Sequence, residues 1–218
     1  MKILFTGDSI TDAGRDRRNY HDLGHGYANC AARLLREELP HADFEFINTG
    51  ISANRTGQLF DRIYYDAAAF KPDIVVLLIG INDIGRRYKV GESHIETSDE
   101  QIEANYRSIL KQLKKHTNAK IITMSPYILD AEINKLFPLD TPSGENMRKD
   151  LARIAPTIRA LANEYAEDFI PLDEIFEAAL KTQPQPMYYS DDGIHPNANG
   201  VEFIGRICAD RLKKLLTK

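Results

Sequence analysis

Asp-Ile-Val-Val-Leu-Leu-Ile, at Asp73–Ile79, is the stretch that indicates the fold class, because six apolar residues follow one aspartate without interruption. A strand with one face in water alternates apolar and polar residues, whereas a strand covered on both faces of a parallel sheet is an almost continuous apolar run. The next residues, Gly80–Asp83, are small or polar. We therefore predict a buried central strand that ends in a loop at Gly80.

Further short apolar runs lie on either side of this strand, and amphipathic segments separate them. The predicted strands are Lys2–Thr6, Asp43–Asn48, Asp73–Ile79, Lys120–Met124 and Asp168–Pro171. The predicted helices, with apolar residues at helical spacing, are His25–Leu39, Arg55–Phe70, Asp99–His116, Glu145–Glu167, Leu172–Lys181 and Gly200–Leu216. Alternating strands and helices predict an α/β protein, a three-layer α/β/α sandwich around a mostly parallel five-stranded sheet.

Three segments carry little periodicity and are predicted as loops: Arg86–Ser98, Tyr127–Ser143 and Thr182–Asn199. Pro156 falls inside a predicted helix, and we expect a kink or break near Ala155, because proline removes a backbone donor. Neither a linker nor an internal repeat divides the chain, so we expect one domain over residues 1–218.

Composition excludes several functional classes. The formal net charge of −4 disfavours nucleic acid as a partner, because phosphate binding requires clustered Lys and Arg. The two cysteines, Cys30 and Cys208, lie in apolar stretches, where buried free thiols are expected, and neither has metal-ligand spacing. The apolar run at the N-terminus is too short for a signal peptide, and no run reaches the ~18 residues of a membrane span. We expect a cytoplasmic protein that needs no metal or other cofactor and binds no membrane.

Polar residues follow the predicted strands, where the active residues of α/β folds collect. Ser9 follows the first strand, in Gly-Asp-Ser-Ile-Thr at Gly7–Thr11. A serine nucleophile requires a base, a group that orients the base, and donors for the developing oxyanion. Taken alone, Gly7–Thr11 is better explained as a polar turn that caps a helix.

His195 differs from the other five histidines, because Asp192 precedes it by three residues on the same predicted loop. A turn through Gly193 allows the carboxylate to reach the imidazole and fix its tautomer, although a plain turn explains the run equally well. Gly50 and Asn82 each follow a strand, and a glycine N–H and an asparagine amide are suitable oxyanion donors. Together these residues predict a nucleophile, base, orienting group and donors at one edge of the sheet.

The same residues fall into four ordered blocks, and with them the sequence resembles the SGNH (GDSL) hydrolases. The blocks are Gly7-Asp8-Ser9-Ile10-Thr11-Asp12, Asn48-Thr49-Gly50-Ile51-Ser52, Gly80-Ile81-Asn82-Asp83 and Asp192-Gly193-Ile194-His195-Pro196. The resemblance implies a single SGNH hydrolase domain with a flavodoxin-like sheet. It also implies that Ser9 is the nucleophile, His195 the base and Asp192 its orienting partner, and that Ser9, Gly50 and Asn82 form the oxyanion hole.

Within that family the sequence is most similar to bacterial intracellular acetylxylan esterases, which act on acetylated xylo-oligosaccharides. The similarity extends to the residues around the blocks, at Ala13–Arg15, Leu23–Tyr27, Ile84–Tyr88 and Met124–Ile128. It implies a small-molecule ester substrate, an acetylated oligosaccharide, hydrolysed through an acyl-enzyme.

The loops near the blocks are polar and aromatic, and tyrosine faces suit sugar rings. Candidate substrate-binding residues are Asp8, Arg86, Tyr88, Tyr189 and Ile194. The tyrosines are equally explained as side chains that pack the loops against the sheet.

Other functions remain open on the sequence alone. A lysophospholipase or thioesterase of the same fold is the main alternative, and a non-catalytic carbohydrate-binding protein is a less favoured one. A nucleotide binder is disfavoured, because no glycine-rich phosphate loop follows the first strand. A homo-oligomer is possible, with Tyr64, Tyr65 and Tyr127–Ser143 as candidate interface segments.

Overall fold

The computed structural model describes residues 1–88, 96–129 and 141–217, with the side chains of residues 141–144 excepted. Its centre is a five-stranded sheet in the order β2-β1-β3-β4-β5, and every neighbouring pair is parallel. The strands are β1 (Lys2–Gly7), β2 (Glu45–Asn48), β3 (Ile74–Leu78), β4 (Lys120–Met124) and β5 (Asp168–Ile170). The predicted α/β class and five-stranded parallel sheet are confirmed.

The run that indicated the fold forms β3, the middle strand. All five of its residues are at most 2% exposed, so both faces of the strand are covered. Its register aligns Gly7 of β1 with Leu78 and Leu78 with Met124 of β4. The carboxyl ends of the three central strands therefore lie side by side, and the segments that follow them share one edge of the sheet.

Eight α-helices are present in the described part of the chain. They are α1 (Ser9–Asp12), α2 (Tyr27–Glu38), α3 (Thr56–Asp66), α4 (Ile81–Gly85), α5 (Asp99–His116), α6 (Thr141–Tyr165), α7 (Leu172–Thr182) and α8 (Ala198–Leu216). Helix α2 packs against α8, while α5 packs against both α3 and α6. These helices and the sheet enclose one apolar core.

The order of the strands places a switch point between β1 and β3. From β1 the chain crosses to β2 at the edge of the sheet and then returns to β3 on the other side of β1. In open α/β sheets, ligands bind at such a point, beyond the carboxyl ends of the strands. The two short helices α1 and α4 begin here, directly after β1 and β3.

Of the kink or break predicted near Ala155, the break is absent, because α6 is assigned as one helix through Pro156. Leu151, Ile154, Ile158 and Leu161 are all at most 5% exposed, on both sides of the proline. Their burial holds the helix together where one backbone hydrogen bond is lost.

Other boundaries differ from the predictions by a few residues, because helix ends fray and caps shift them. The predicted helix Arg55–Phe70 ends as α3 at Asp66, and a separate 3-10 turn covers Ala68–Phe70. The predicted loops Arg86–Ser98 and Tyr127–Ser143 extend into segments 89–95 and 130–140, which lie outside the described residues.

Cys30 and Cys208 are buried and free, as predicted. No helix in the described ranges is long and apolar enough to cross a membrane. Within the same ranges, no cluster of three or more His, Cys, Asp or Glu side chains is arranged to hold a metal ion.

Candidate active site

Ser9 is the first residue of α1, which begins immediately after β1. Asp8 caps this short helix, and its Oδ1 accepts the N–H of Ile10 at 3.0 Å. Gly7 is required at the end of β1: its φ is +155°, and a Cβ there would lie 1.9 Å from the carbonyl oxygen of Leu78. The close approach of β1 to β3 thus fixes the direction in which Ser9 leaves the sheet.

His195 reaches Ser9 from the loop that precedes α8. The distance from Ser9 Oγ to His195 Nε2 is 2.8 Å, and His195 Nδ1 lies 2.7 Å from Asp192 Oδ2. The other oxygen of Asp192 accepts the N–H groups of Ile194 and His195 at 2.9 Å and 2.7 Å. The turn that allows this closure passes through Gly193, whose φ is +84°. A continuous chain of hydrogen bonds therefore joins Asp192, His195 and Ser9.

The hydrogen bonds at this site keep Asp192 ionised and give the neutral imidazole of His195 a defined tautomer. Burial opposes ionisation of Asp192, but the hydrogen bonds from His195 and from two backbone N–H groups outweigh it and hold the pKa of Asp192 at about 2. The hydrogen bond to Asp192 is also the main cause of the raised pKa of His195. An ionised carboxylate only accepts hydrogen bonds, so Nδ1 carries the proton and the lone pair of Nε2 faces the Ser9 hydroxyl.

The other described histidines, His21, His25, His41 and His116, are exposed residues, and His94 lies outside the described residues.

Of the predicted oxyanion donors, Gly50 lies against the helix that begins at Ser9, and Asn82 lies against Asn54. A Cβ on Gly50 would lie 2.4 Å from the backbone nitrogen of Asp12, so the Gly50 loop packs directly on α1. The N–H of Gly50 donates to Asn48 Oδ1 at 2.9 Å. Asn82 lies in α4 and uses one amide hydrogen to donate to the carbonyl oxygen of Asn54 at 3.1 Å, which leaves its second amide hydrogen for another acceptor.

The polar residues of the blocks also hold these loops to one another. Asp12 accepts the N–H and the hydroxyl of Ser52, each at 2.8 Å, and so joins α1 to the Gly50 loop. Asp83 is buried and accepts the N–H and the hydroxyl of Thr56 at 2.9 Å and 2.7 Å. Asp83 thereby fixes the start of α3 beside Asn82.

Asp8 was predicted to bind substrate, and the structure corrects this. Its side chain is completely buried, and Oδ2 has no hydrogen-bond partner among the described residues. Burial raises the pKa of Asp8 to about 7. The Asp8 side chain is thus enclosed by the protein, whereas the next residue, Ser9, is partly exposed.

Tyr189 and Ile194 are likewise buried, at 6% and 2% exposure, and do not form a surface for a sugar. The Tyr189 ring packs at 5.5 Å from the Phe176 ring and at 5.1 Å from the Phe203 ring. Of the two neighbouring tyrosines, Tyr188 is the exposed one. The alternative explanation, that a tyrosine packs this loop against the protein, is correct for Tyr189.

Tyr88 and Arg86 follow α4 and are partly exposed. The hydroxyl of Tyr88 donates to Asp150 at 2.7 Å, and burial together with this contact raises the pKa of Tyr88 to about 12. Arg87, which sequence reasoning did not select, has a buried side chain that bonds to Asp99 and Asp150. This ion-pair network anchors the segment after α4 to α5 and α6.

Similarity to known proteins shows the family of the chain. Residues 5–203 match the model of the GDSL-like lipase/acylhydrolase family. The chain belongs to this family. It is a carboxylic ester hydrolase, and the resemblance drawn from the four blocks is confirmed.

Similar proteins include an acetylxylan esterase of Geobacillus stearothermophilus, which is 32% identical over 212 residues, 94% of this chain and 90% of that protein. An acetylxylan esterase of Xylanibacter ruminicola is 27% identical, and the match covers 98% of this chain and 43% of that protein. Among solved structures, that of the Geobacillus esterase Axe2 superposes with a TM-score of 0.81 at 30% identity, covering 96% of this chain and 92% of that one.

Proposed function

We propose that this protein is a serine esterase that removes acetyl groups from xylo-oligosaccharides, with Ser9 as nucleophile, His195 as general base and Asp192 as its orienting partner. The observation that carries the proposal is the hydrogen-bond chain from Asp192 through His195 to Ser9, at 2.7 Å and 2.8 Å. Catalytic mutants of the Geobacillus esterase replace a serine, a histidine and an aspartate, the same three residue types.

The first half of the reaction forms an acetyl-enzyme. Ser9 Oγ attacks the carbonyl carbon of the ester while His195 Nε2 takes the hydroxyl proton. The imidazolium that forms is stabilised by the ionised Asp192, whose carboxylate lies 2.7 Å away. His195 then gives this proton to the sugar oxygen, the carbon–oxygen bond breaks, and the alcohol leaves.

The second half returns the enzyme to its initial state. His195 takes a proton from a water molecule, and the hydroxide attacks the acetyl carbon on Ser9. The second tetrahedral intermediate collapses to acetate, and Ser9 Oγ regains its proton from His195. The route uses no metal or organic cofactor.

In both halves, negative charge develops on the carbonyl oxygen of the ester. The donors assigned to that oxygen are the N–H of Ser9, the N–H of Gly50 and the side-chain amide of Asn82. The Gly50 N–H donates to Asn48 Oδ1 in the structure, so it must share its hydrogen or exchange partners when the oxyanion forms. Donors of this kind act most strongly when they are held in place before the reaction begins.

The substrate class follows from the relatives and from the surroundings of Ser9. Two similar proteins are acetylxylan esterases, one of which matches over 94% of this chain. Tyr189 and Ile194 are buried, and the partly exposed Arg86 and exposed Tyr188 offer polar and aromatic contacts on the loops near the four blocks. Such surroundings favour a small acyl group on a sugar over a long acyl chain.

A panel of esters tests the proposed substrate specificity. Acetylated xylo-oligosaccharides, glucose pentaacetate, p-nitrophenyl acetate, p-nitrophenyl octanoate and an acyl thioester are compared by kcat/KM, with a Ser9→Ala enzyme as the control. We expect the acetylated sugars to be hydrolysed fastest. A higher kcat/KM for the octanoate or the thioester would favour the lysophospholipase or thioesterase alternative.

A further inference from the structure

Arg62 of α3 makes hydrogen bonds to the end of β1 and to two residues of the loop between β2 and α3. Its Nη2 donates to the carbonyl oxygen of Gly7 at 3.0 Å, and its Nη1 donates to that of Thr49 at 2.7 Å. Its Nε donates to Asn54 Oδ1 at 2.8 Å. The side chain is 14% exposed and is also held by Asp66 at 2.9 Å. One guanidinium therefore connects the segments that follow β1 and β2 with the start of α3.

Each of these three acceptors is close in the chain to a proposed oxyanion donor or contacts one. Gly7 lies two residues before Ser9, and Thr49 directly precedes Gly50. The side-chain amide of Asn82 donates a hydrogen bond to the backbone oxygen of Asn54 at 3.1 Å. Arg62 thus contacts the segments of Ser9 and Gly50 and the residue that holds Asn82.

The contact with Thr49 acts directly on one donor. The carbonyl of Thr49 and the N–H of Gly50 are the two ends of the same peptide group, which is planar and trans. Fixing the oxygen at Arg62 therefore fixes the direction of the Gly50 N–H on the opposite side. A charged donor on a peptide oxygen also polarises that peptide, which strengthens its N–H as a donor.

We propose that Arg62 is the positioning residue of the oxyanion hole. Arg62 does not touch the substrate. It fixes the direction of the Gly50 N–H, the position of the segment that leads to Ser9 and the position of the Asn82 amide. This inference depends on the proposed function only in that an oxyanion forms at Ser9.

The planar fork of arginine is needed for this role. Each of the three guanidinium nitrogens donates to a different residue, Gly7, Thr49 or Asn54, whereas lysine offers a single nitrogen on a flexible stem. Arg62→Lys keeps the charge beside Asp66 and loses the fixed geometry. A residue that served only to balance the charge of Asp66 would tolerate this change.

The test compares Arg62→Lys and Arg62→Ala with two controls. Asp66→Asn removes the ion pair and leaves the Arg62 guanidinium in place. Arg107→Ala removes a partly exposed arginine of α5 that pairs with Glu103 and Glu164. For each enzyme we measure kcat and KM with p-nitrophenyl acetate and the melting temperature. The concentration of folded enzyme is obtained from far-UV circular dichroism and gel filtration.

We expect kcat per folded enzyme to fall about 10–100-fold in both Arg62 variants with KM within about twofold, because misplaced donors act on the transition state and not on substrate binding. The controls should keep kcat within about twofold. Added guanidinium, at concentrations that leave the wild type unaffected, should restore part of the kcat of Arg62→Ala.

The proposal would be overturned if Arg62→Lys retained the wild-type kcat, or if the loss in both variants equalled the loss of folded protein. Ser9→Ala, measured in parallel, separates this result from a failure of the proposed function. An inactive Ser9→Ala beside fully active Arg62 variants contradicts the positioning role alone. An active Ser9→Ala contradicts the proposed function itself.

Discussion

His195 Nε2 lies 2.8 Å from Ser9 Oγ, although 186 positions separate the two residues in the chain. Ser9 is placed by the end of β1, and His195 by the loop that leads into α8. That loop is held by the antiparallel bridge between Ser190 and Pro196 and by the bond from Leu129 N–H to the Gly193 carbonyl at 2.8 Å. The contact therefore depends on packing from both ends of the chain.

Asp192→Asn removes the charged acceptor from His195. We expect kcat/KM at neutral pH to fall by about 10⁴-fold, because an amide no longer enforces the tautomer that leaves Nε2 free to accept a proton. The hydrogen bond to Asp192 is the main cause of the raised pKa of His195, so the acidic limb of the pH profile should move to lower pH. The measurement is kcat/KM of both enzymes from pH 4 to pH 9.

Asp191→Asn is the matched control, because Asp191 lies on the same loop, is exposed, and accepts a hydrogen bond from Asn197 at 3.2 Å. Its profile should coincide with that of the wild type. An Asp192→Asn enzyme with an unchanged acidic limb would show that His195 is not the group that titrates there.

Asp8→Asn tests how the buried carboxyl of Asp8, which precedes Ser9 in the chain, affects stability as the pH changes. Burial raises the pKa of Asp8 from 3.8 to about 7, so the folded state favours its neutral form. The resulting stability is complete below about pH 4 and is lost as the pH rises through about 7. The variant should melt close to the wild type at pH 5 and roughly 5–10 °C above it at pH 9, a difference of about 2–3 kcal/mol.

The melting temperatures of both proteins are measured by thermal unfolding at pH 5 and pH 9. Asp43→Asn, at an exposed aspartate, is the control. A wild type that gains stability relative to Asp8→Asn between pH 5 and pH 9 would mean that the carboxyl is preferred in its charged form, contrary to its surroundings.

Asn82→Ala removes one proposed oxyanion donor. We expect kcat to fall about 100–1,000-fold with little change in KM, because the amide acts mainly when negative charge develops. The bond to the Asn54 carbonyl is lost as well, so the melting temperature is recorded with the kinetics. Asn118→Ala, at an exposed asparagine, serves as control. Equal losses in kcat and in folded protein would contradict a role in the transition state.

The strands and the hydrogen-bonded residues Ser9, His195 and Asp192 could be predicted from sequence for a physical reason. The apolar run of β3 indicates a strand that is buried on both faces. Asp192 and His195 lie close enough in the chain for one turn to join them. Ser9 was found through its place at the end of β1. These signals are local, so a single sequence contains them.

The errors arose where neighbours in the chain face different directions. Asp8 and Ile194 were predicted to bind substrate, and they adjoin Ser9 and His195, yet both side chains are buried. The sequence contains no signal for Arg62, because two of its acceptors are backbone oxygens, which any residue type supplies. Pro156 was expected to kink or break its helix, and the helix continues through it.

The most direct measurement of the central claim combines covalent labelling with turnover. Wild-type enzyme is treated with a fluorophosphonate and examined by intact-mass and peptide mass spectrometry, while hydrolysis of acetylated xylo-oligosaccharides is followed before and after. We predict a single adduct on Ser9 with complete loss of activity, and no adduct or activity above background in Ser9→Ala. A Ser9→Ala enzyme that retains wild-type turnover, or an inactivating adduct on another residue, would contradict Ser9 as the nucleophile.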